Sequence, residues 1–139
     1  MSQYLNFYVR HDKEFVPIAD YSRSTKIYQA IQAPYEQIRL ITIQELEVVA
    51  EKMRTAKNSV KTQIEDINRK IDFISKTNNS LDEKLDAIES YLKIIEEYKE
   101  DIEILDKYAI ELEFIADMGY ENQIFVGVEI GSPTVNDII

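Results

Sequence analysis

Apolar and polar residues alternate at the start of the chain. Leu5, Phe7 and Val9 fall on one side, and Tyr4, Asn6 and Tyr8 on the other. Period two with aromatic and β-branched side chains predicts a strand over residues 3–10. His11-Asp12-Lys13 is short and polar and predicts a hairpin loop. Glu14 to Ile18 predicts the returning strand, at a sheet edge because Pro17 cannot donate to a ladder. Ile27 and Ile31 share a helix face, so a short helix of about two turns is expected over Ile27–Gln32. Ser22 or Ser24 would cap it and Pro34 would stop it. Tyr35 to Ile41, with Ile38 and Leu40 at period two, predicts a third strand.

The pattern then changes period. Thr42-Ile43-Gln44-Glu45 and Ser80-Leu81-Asp82-Glu83 both match the capping box that opens a helix. After Thr42, apolar residues from Leu46 to Ile74 make eight steps over 28 residues, a mean of 3.5. That is the period of a coiled coil. After Ser80 a second stripe runs through Leu81, Leu85, Ile88, Leu92, Ile95, Tyr98, Ile102, Leu105, Ala109 and Leu112, and Gly119 is placed to end it. Facing residues of an antiparallel hairpin have a nearly constant index sum. Ile74 with Leu81, Ile67 with Ile88, Met53 with Ile102 and Leu46 with Ala109 all sum to 155, and Ile71 with Leu85 and Ile64 with Leu92 to 156. Two helices of roughly 50 Å each, at 1.5 Å per residue, are expected to pair within one chain. Ile124, Val126, Val128 and Ile130 then share one face of a fourth strand.

The expected fold is therefore α+β, in the order β-β-α-β-α-α-β. Residues 1–41 and 120–131 form an antiparallel sheet region, residues 42–119 are an inserted helical hairpin, and 132–139 form a tail. The length of 139 residues suits a single domain.

The second helix carries more apolar surface than one partner covers. Phe114 and Ile115 can pack on the sheet, whereas Tyr91, Ile94 and Tyr98 lie where the sheet cannot reach. A homo-oligomer, a dimer or a larger assembly, is expected through that face.

Composition narrows the chemistry. There is no Cys and one His, which excludes a thiolate nucleophile, a Cys-ligated metal and any multi-His metal site. His11 lies in a loop with no triad partner, so no catalytic residue, cofactor or metal is expected and the chain reads as a non-enzyme. No signal peptide or membrane-spanning run is visible, which, with the lack of Cys, suggests a cytoplasmic protein.

The net charge is −10, unevenly placed. Residues 1–79 sum to +2, residues 80–119 to −9 and residues 120–139 to −3. Glu96, Glu97, Glu100, Asp101, Glu103 and Asp106 are the densest part. Such a charge argues against direct nucleic-acid binding. The first expected function is an oligomeric binding protein whose acidic helix engages a basic protein surface. A phage- or mobile-element-type inhibitor of a nucleic-acid-handling protein would fit that description. A second reading is a nucleotide-like ligand held by Arg10, Ser22, Arg23, Ser24, Thr25, Lys26 and Tyr28, which offer cations, hydroxyls and an aromatic ring. A third is a structural assembly factor, with the hairpin as its oligomerisation device.

Overall fold

The computed structural model describes residues 3–130. It contains β1 (Gln3–His11), β2 (Glu14–Ser22), α1 (Lys26–Ala30), β3 (Arg39–Ile41), α2 (Ile43–Ser75), α3 (Leu81–Met118) and β4 (Ile124–Ile130). The α+β class and the element order are those read from the sequence. The expected tail, residues 132–139, lies outside the described residues.

The four strands form one antiparallel sheet in the order β2-β1-β4-β3. His11 pairs with Glu14, so the hairpin loop is only Asp12-Lys13. Asp12 takes φ 55°, the left-handed geometry that tight hairpin turns require and Asp tolerates. β2 is an edge strand, as Pro17 demands, but it runs on to Ser22 instead of stopping at Ile18. The register steps from Phe7↔Ala19 to Tyr8↔Pro17, which leaves Ile18 as an unpaired bulge residue. The bulge absorbs the irregularity beside Pro17 and lets pairing resume.

β1 is covered on both faces. Leu5 and Phe7 are buried on one, and Asn6 and Tyr8 on the other. β3 is shorter than expected. The preceding segment meets the sheet by a parallel bridge of Tyr35 to Val128, whose carbonyl accepts from the Glu36 amide and whose amide donates to the Pro34 carbonyl. Glu36 then turns at φ 56° and the Gln37 backbone lies against Gly127. A Cβ on Gly127 would stand 2.4 Å from the Gln37 carbonyl oxygen, so only glycine admits this crossing.

The helix caps follow local chemistry. Thr25, not Ser22 or Ser24, caps α1: its Oγ1 accepts from the Tyr28 amide at 3.2 Å. The Ser22 carbonyl accepts from the Thr25 amide and hydroxyl, which aligns the cap. α1 is five residues long. Thr42 accepts from the Glu45 amide at 3.1 Å, as a capping box requires. Glu45 does not reach back to complete the box. Its two carboxylate oxygens instead accept from Arg39 at 3.2 and 3.0 Å. Ser80 caps α3 by accepting from the Glu83 amide.

The described chain falls into two compact units. One holds residues up to Glu51 and from Tyr108 onward, and the other is Lys52–Lys107. In the first, Leu5, Phe7, Leu46, Leu112, Ile124 and Val126 are almost wholly buried. Each such side chain contributes about 1.5–3 kcal/mol. Tyr21 sets its ring edge-on against Phe7 at 5.9 Å and Tyr108 at 5.8 Å. Ile115 is buried as expected, whereas Phe114 stays exposed.

The second unit is the antiparallel helix pair, and the covered stripe on α3 differs from the expected one. Leu81, Leu85 and Leu92 are 71%, 54% and 50% exposed, so they lie off the seam. The covered series on α3 is instead Ile88, Tyr91, Ile95, Tyr98, Ile102 and Leu105, alternating steps of three and four. Two hydrogen bonds cross between the helices: Lys57 donates to Asp106 at 2.6 Å, and Lys84 to the Ser75 carbonyl at 3.4 Å.

Candidate binding surfaces

The acidic stretch of α3 lies in the helix-pair unit. Two of its six carboxylates are taken. Asp106 accepts from Lys57, and Glu96 faces Lys99 at 3.6 Å. Glu97, Glu100, Asp101 and Glu103 are exposed and have no ion pair among the described residues. Ile94, Glu97, Asp101 and Ile104 recur at steps of three and four, so they share one flank of the helix. Ile94 and Ile104 are both exposed, which sets apolar side chains among the acids.

The expected oligomer face is redistributed. Tyr91 and Tyr98 are half-buried and belong to the seam series, and only Ile94 stays exposed. Leu81, Leu85 and Leu92 add further exposed apolar surface on α3. These are spaced four and seven apart, so they too form one stripe.

The residues expected to hold an anion are only partly gathered. Ser22, Arg23, Ser24, Thr25, Lys26 and Tyr28 are consecutive or nearly so around the start of α1. Arg10 sits at the opposite end of the hairpin. It pairs with Phe15, whereas Tyr4 pairs with Ser22, about 20 Å further along the strand. The hydroxyls are occupied. Ser22 and Ser24 bond each other at 3.0 Å, Thr25 caps the helix, and Tyr28 donates to Gln3 at 2.7 Å. Arg10 donates to the Asp12 carbonyl.

Two tyrosines carry the described sheet's perturbed ionisations. Tyr21 donates to Glu111 at 2.7 Å and Tyr8 to Glu129 at 2.6 Å. Burial, then the carboxylate each one faces, holds both phenols well above their ordinary value. Tyr108 is raised by burial and by Glu111. Two cavities accompany these pairs. One, of 400 Å³, lies between β2 and α3 and includes Ile18, Tyr21, Ile110, Glu111 and Phe114. The other, of 340 Å³, is built around Tyr8, Gly127 and Glu129. Neither was foreseen, because each needs strands and loops brought together from distant parts of the chain.

His11 is exposed in the hairpin. Among the described residues no group of three or more His, Cys, Asp or Glu side chains could hold a metal ion. None of the described helices is long and apolar enough to cross a membrane. Compared with family models, curated proteins and solved structures, the chain matches none.

Proposed function

We propose that this is a non-enzymatic binding protein that engages a basic protein surface through the acidic flank of α3. The observation that supports the reading is the mixed character of that flank. Glu97 and Asp101 are exposed between Ile94 and Ile104 and make no ion pair among the described residues. A protein interface combines apolar anchors with a charged rim, and the rim sets partner choice and encounter rate. A surface mimicking nucleic acid would have no use for the isoleucines. An inhibitor of a nucleic-acid-handling protein, as phages and mobile elements encode, is the sharper form of the same proposal. Self-association through Leu81, Leu85 and Leu92 forms its second part, because three exposed leucines on one stripe favour contact with a like surface.

The test is partner capture from the native host with the full chain, followed by binding of the purified pair. Replacing Glu97, Glu100, Asp101 and Glu103 together by Gln should weaken that binding at least tenfold. These side chains are exposed, so the fold should persist. A partner bound equally well by the variant overturns the reading.

A further inference from the structure

The cavity beside Tyr8 has walls of a consistent chemistry. Its lining is Tyr8, Glu36, Gln37, Ile38, Gly127 and Glu129. Glu129 and Glu36 supply two carboxylates, and no basic side chain is among the described lining residues. The hydroxyl of Tyr8 donates to one oxygen of Glu129, Oε1, at 2.6 Å. That bond fixes the carboxylate and leaves its second oxygen to accept from another donor. Tyr8 and Ile38 supply the aromatic and apolar part of the wall. Gly127 has no side chain to fill the space, and the close approach of Gln37 forbids one.

A second observation comes from the sheet beneath. Asn6 is 1% exposed, and neither its Nδ2 nor its Oδ1 has a hydrogen-bond partner. Asn6 pairs directly with Gly127 and lies two residues from Tyr8. Alternation along β1 puts Asn6 on the same face as Tyr8, next to the cavity that Tyr8 and Gly127 line, although Asn6 is not itself a lining residue. A buried amide with both ends unmet is rare and costly, and an absent ligand or the water it brings is a standard cause. The volume of 340 Å³ lies at the small end of ligand cavities, which run from about 300 Å³ upward.

We infer that this cavity binds a small organic cation, an alkyl guanidinium or ammonium, against Glu129 and Glu36 with the Tyr8 ring as its apolar wall. The charge is opposite to that of a nucleotide-like ligand. The site lies in the sheet unit and is independent of the α3 flank. The cation donates to the second oxygen of Glu129 and to Glu36.

The experiment is an NMR titration of the full chain with agmatine, which carries a guanidinium and an ammonium on a four-carbon stem. Agmatine should shift the Gly127 backbone amide and the Asn6 side-chain amide saturably. Glu129→Gln keeps an acceptor for the Tyr8 hydroxyl but removes charge, and should weaken binding about tenfold. Glu36→Gln changes an exposed loop residue that cannot threaten the fold, and should weaken binding in the same direction. 4-Guanidinobutyrate, of similar size but with a carboxylate in place of the ammonium, should bind at least tenfold more weakly. Shifts confined to Glu97–Glu103 of α3, no saturable shift, or equal binding by Glu36→Gln would each overturn the proposal.

Discussion

Tyr21 shows how much one residue can carry. Its ring closes the contact between β2, β1 and α3, and its hydroxyl meets Glu111. Tyr21→Phe keeps the ring and leaves the half-buried Glu111 without that donor, which should cost about 1–2 kcal/mol at neutral pH. The cost should depend on pH with a definite sign. The folded phenol is held above its unfolded value of about 10. Below that value both states keep the proton, and the stabilisation is constant. Above it the unfolded phenol ionises first, so stability falls by up to about 1.4 kcal/mol per pH unit. Urea midpoints between pH 8 and 12 should therefore decline more steeply for the parent chain than for Tyr21→Phe. Tyr8 keeps a slope in both. Parallel declines would show that Tyr21 ionises alike in both states. Residues such as Gly127 and Asn6 were illegible beforehand for the opposite reason. Period two assigns a face to Asn6 but says nothing of what covers it, and the demand for glycine at 127 arises only from a loop 90 residues earlier.

At the scale of elements, periodicity was a good guide wherever a single pattern competed with nothing. β1, β4, α2 and α3 begin and end within a residue or two of the expected positions. The failures share a cause. β2 continues past Pro17 because a bulge at Ile18 repairs the ladder, and bulges leave no periodic trace. β3 loses its first half because Glu36 turns and Gln37 is drawn over Gly127. The expected stripe on α3 is only partly covered because that helix carries two overlapping apolar stripes, one through Leu92 and one through Tyr91, and either satisfies steps of three and four. The half-buried position of Tyr91 and the exposure of Leu92 decide between them. Tyr91→Ala should accordingly lower stability by about 1–3 kcal/mol. Leu92→Ala should change it by less than about 0.5 kcal/mol. Chemical denaturation of the two variants side by side tests which stripe is covered, and the reverse ranking would place Leu92 rather than Tyr91 on the seam.

At the scale of the whole molecule, the two parts of the proposed function respond oppositely to salt. The charge of −10 is concentrated in residues 80–139, at −12, while residues 1–79 hold +2. When two copies meet through Leu81, Leu85 and Leu92, they bring two acidic α3 helices toward each other. Their repulsion is screened as ionic strength rises, since the Debye length falls from about 30 Å at 0.01 M to about 10 Å at 0.1 M. The apolar contact itself gains nothing from low salt. Self-association should therefore strengthen between 0.01 and 0.3 M salt, whereas docking on a basic partner should weaken over the same range. Sedimentation at tens of micromolar should show the dimer or larger species growing with salt. Leu85→Glu with Leu92→Glu should return the chain to a monomer at every salt concentration. Both leucines are half-exposed or more, so the double variant keeps its helix pair and its far-ultraviolet dichroism. A chain that stays monomeric throughout would leave the leucine stripe as surface alone. An assembly that falls apart as salt rises would show that charge pairing, not the stripe, holds the copies together. The two interfaces then separate by the sign of one slope, with no need to know the partner first.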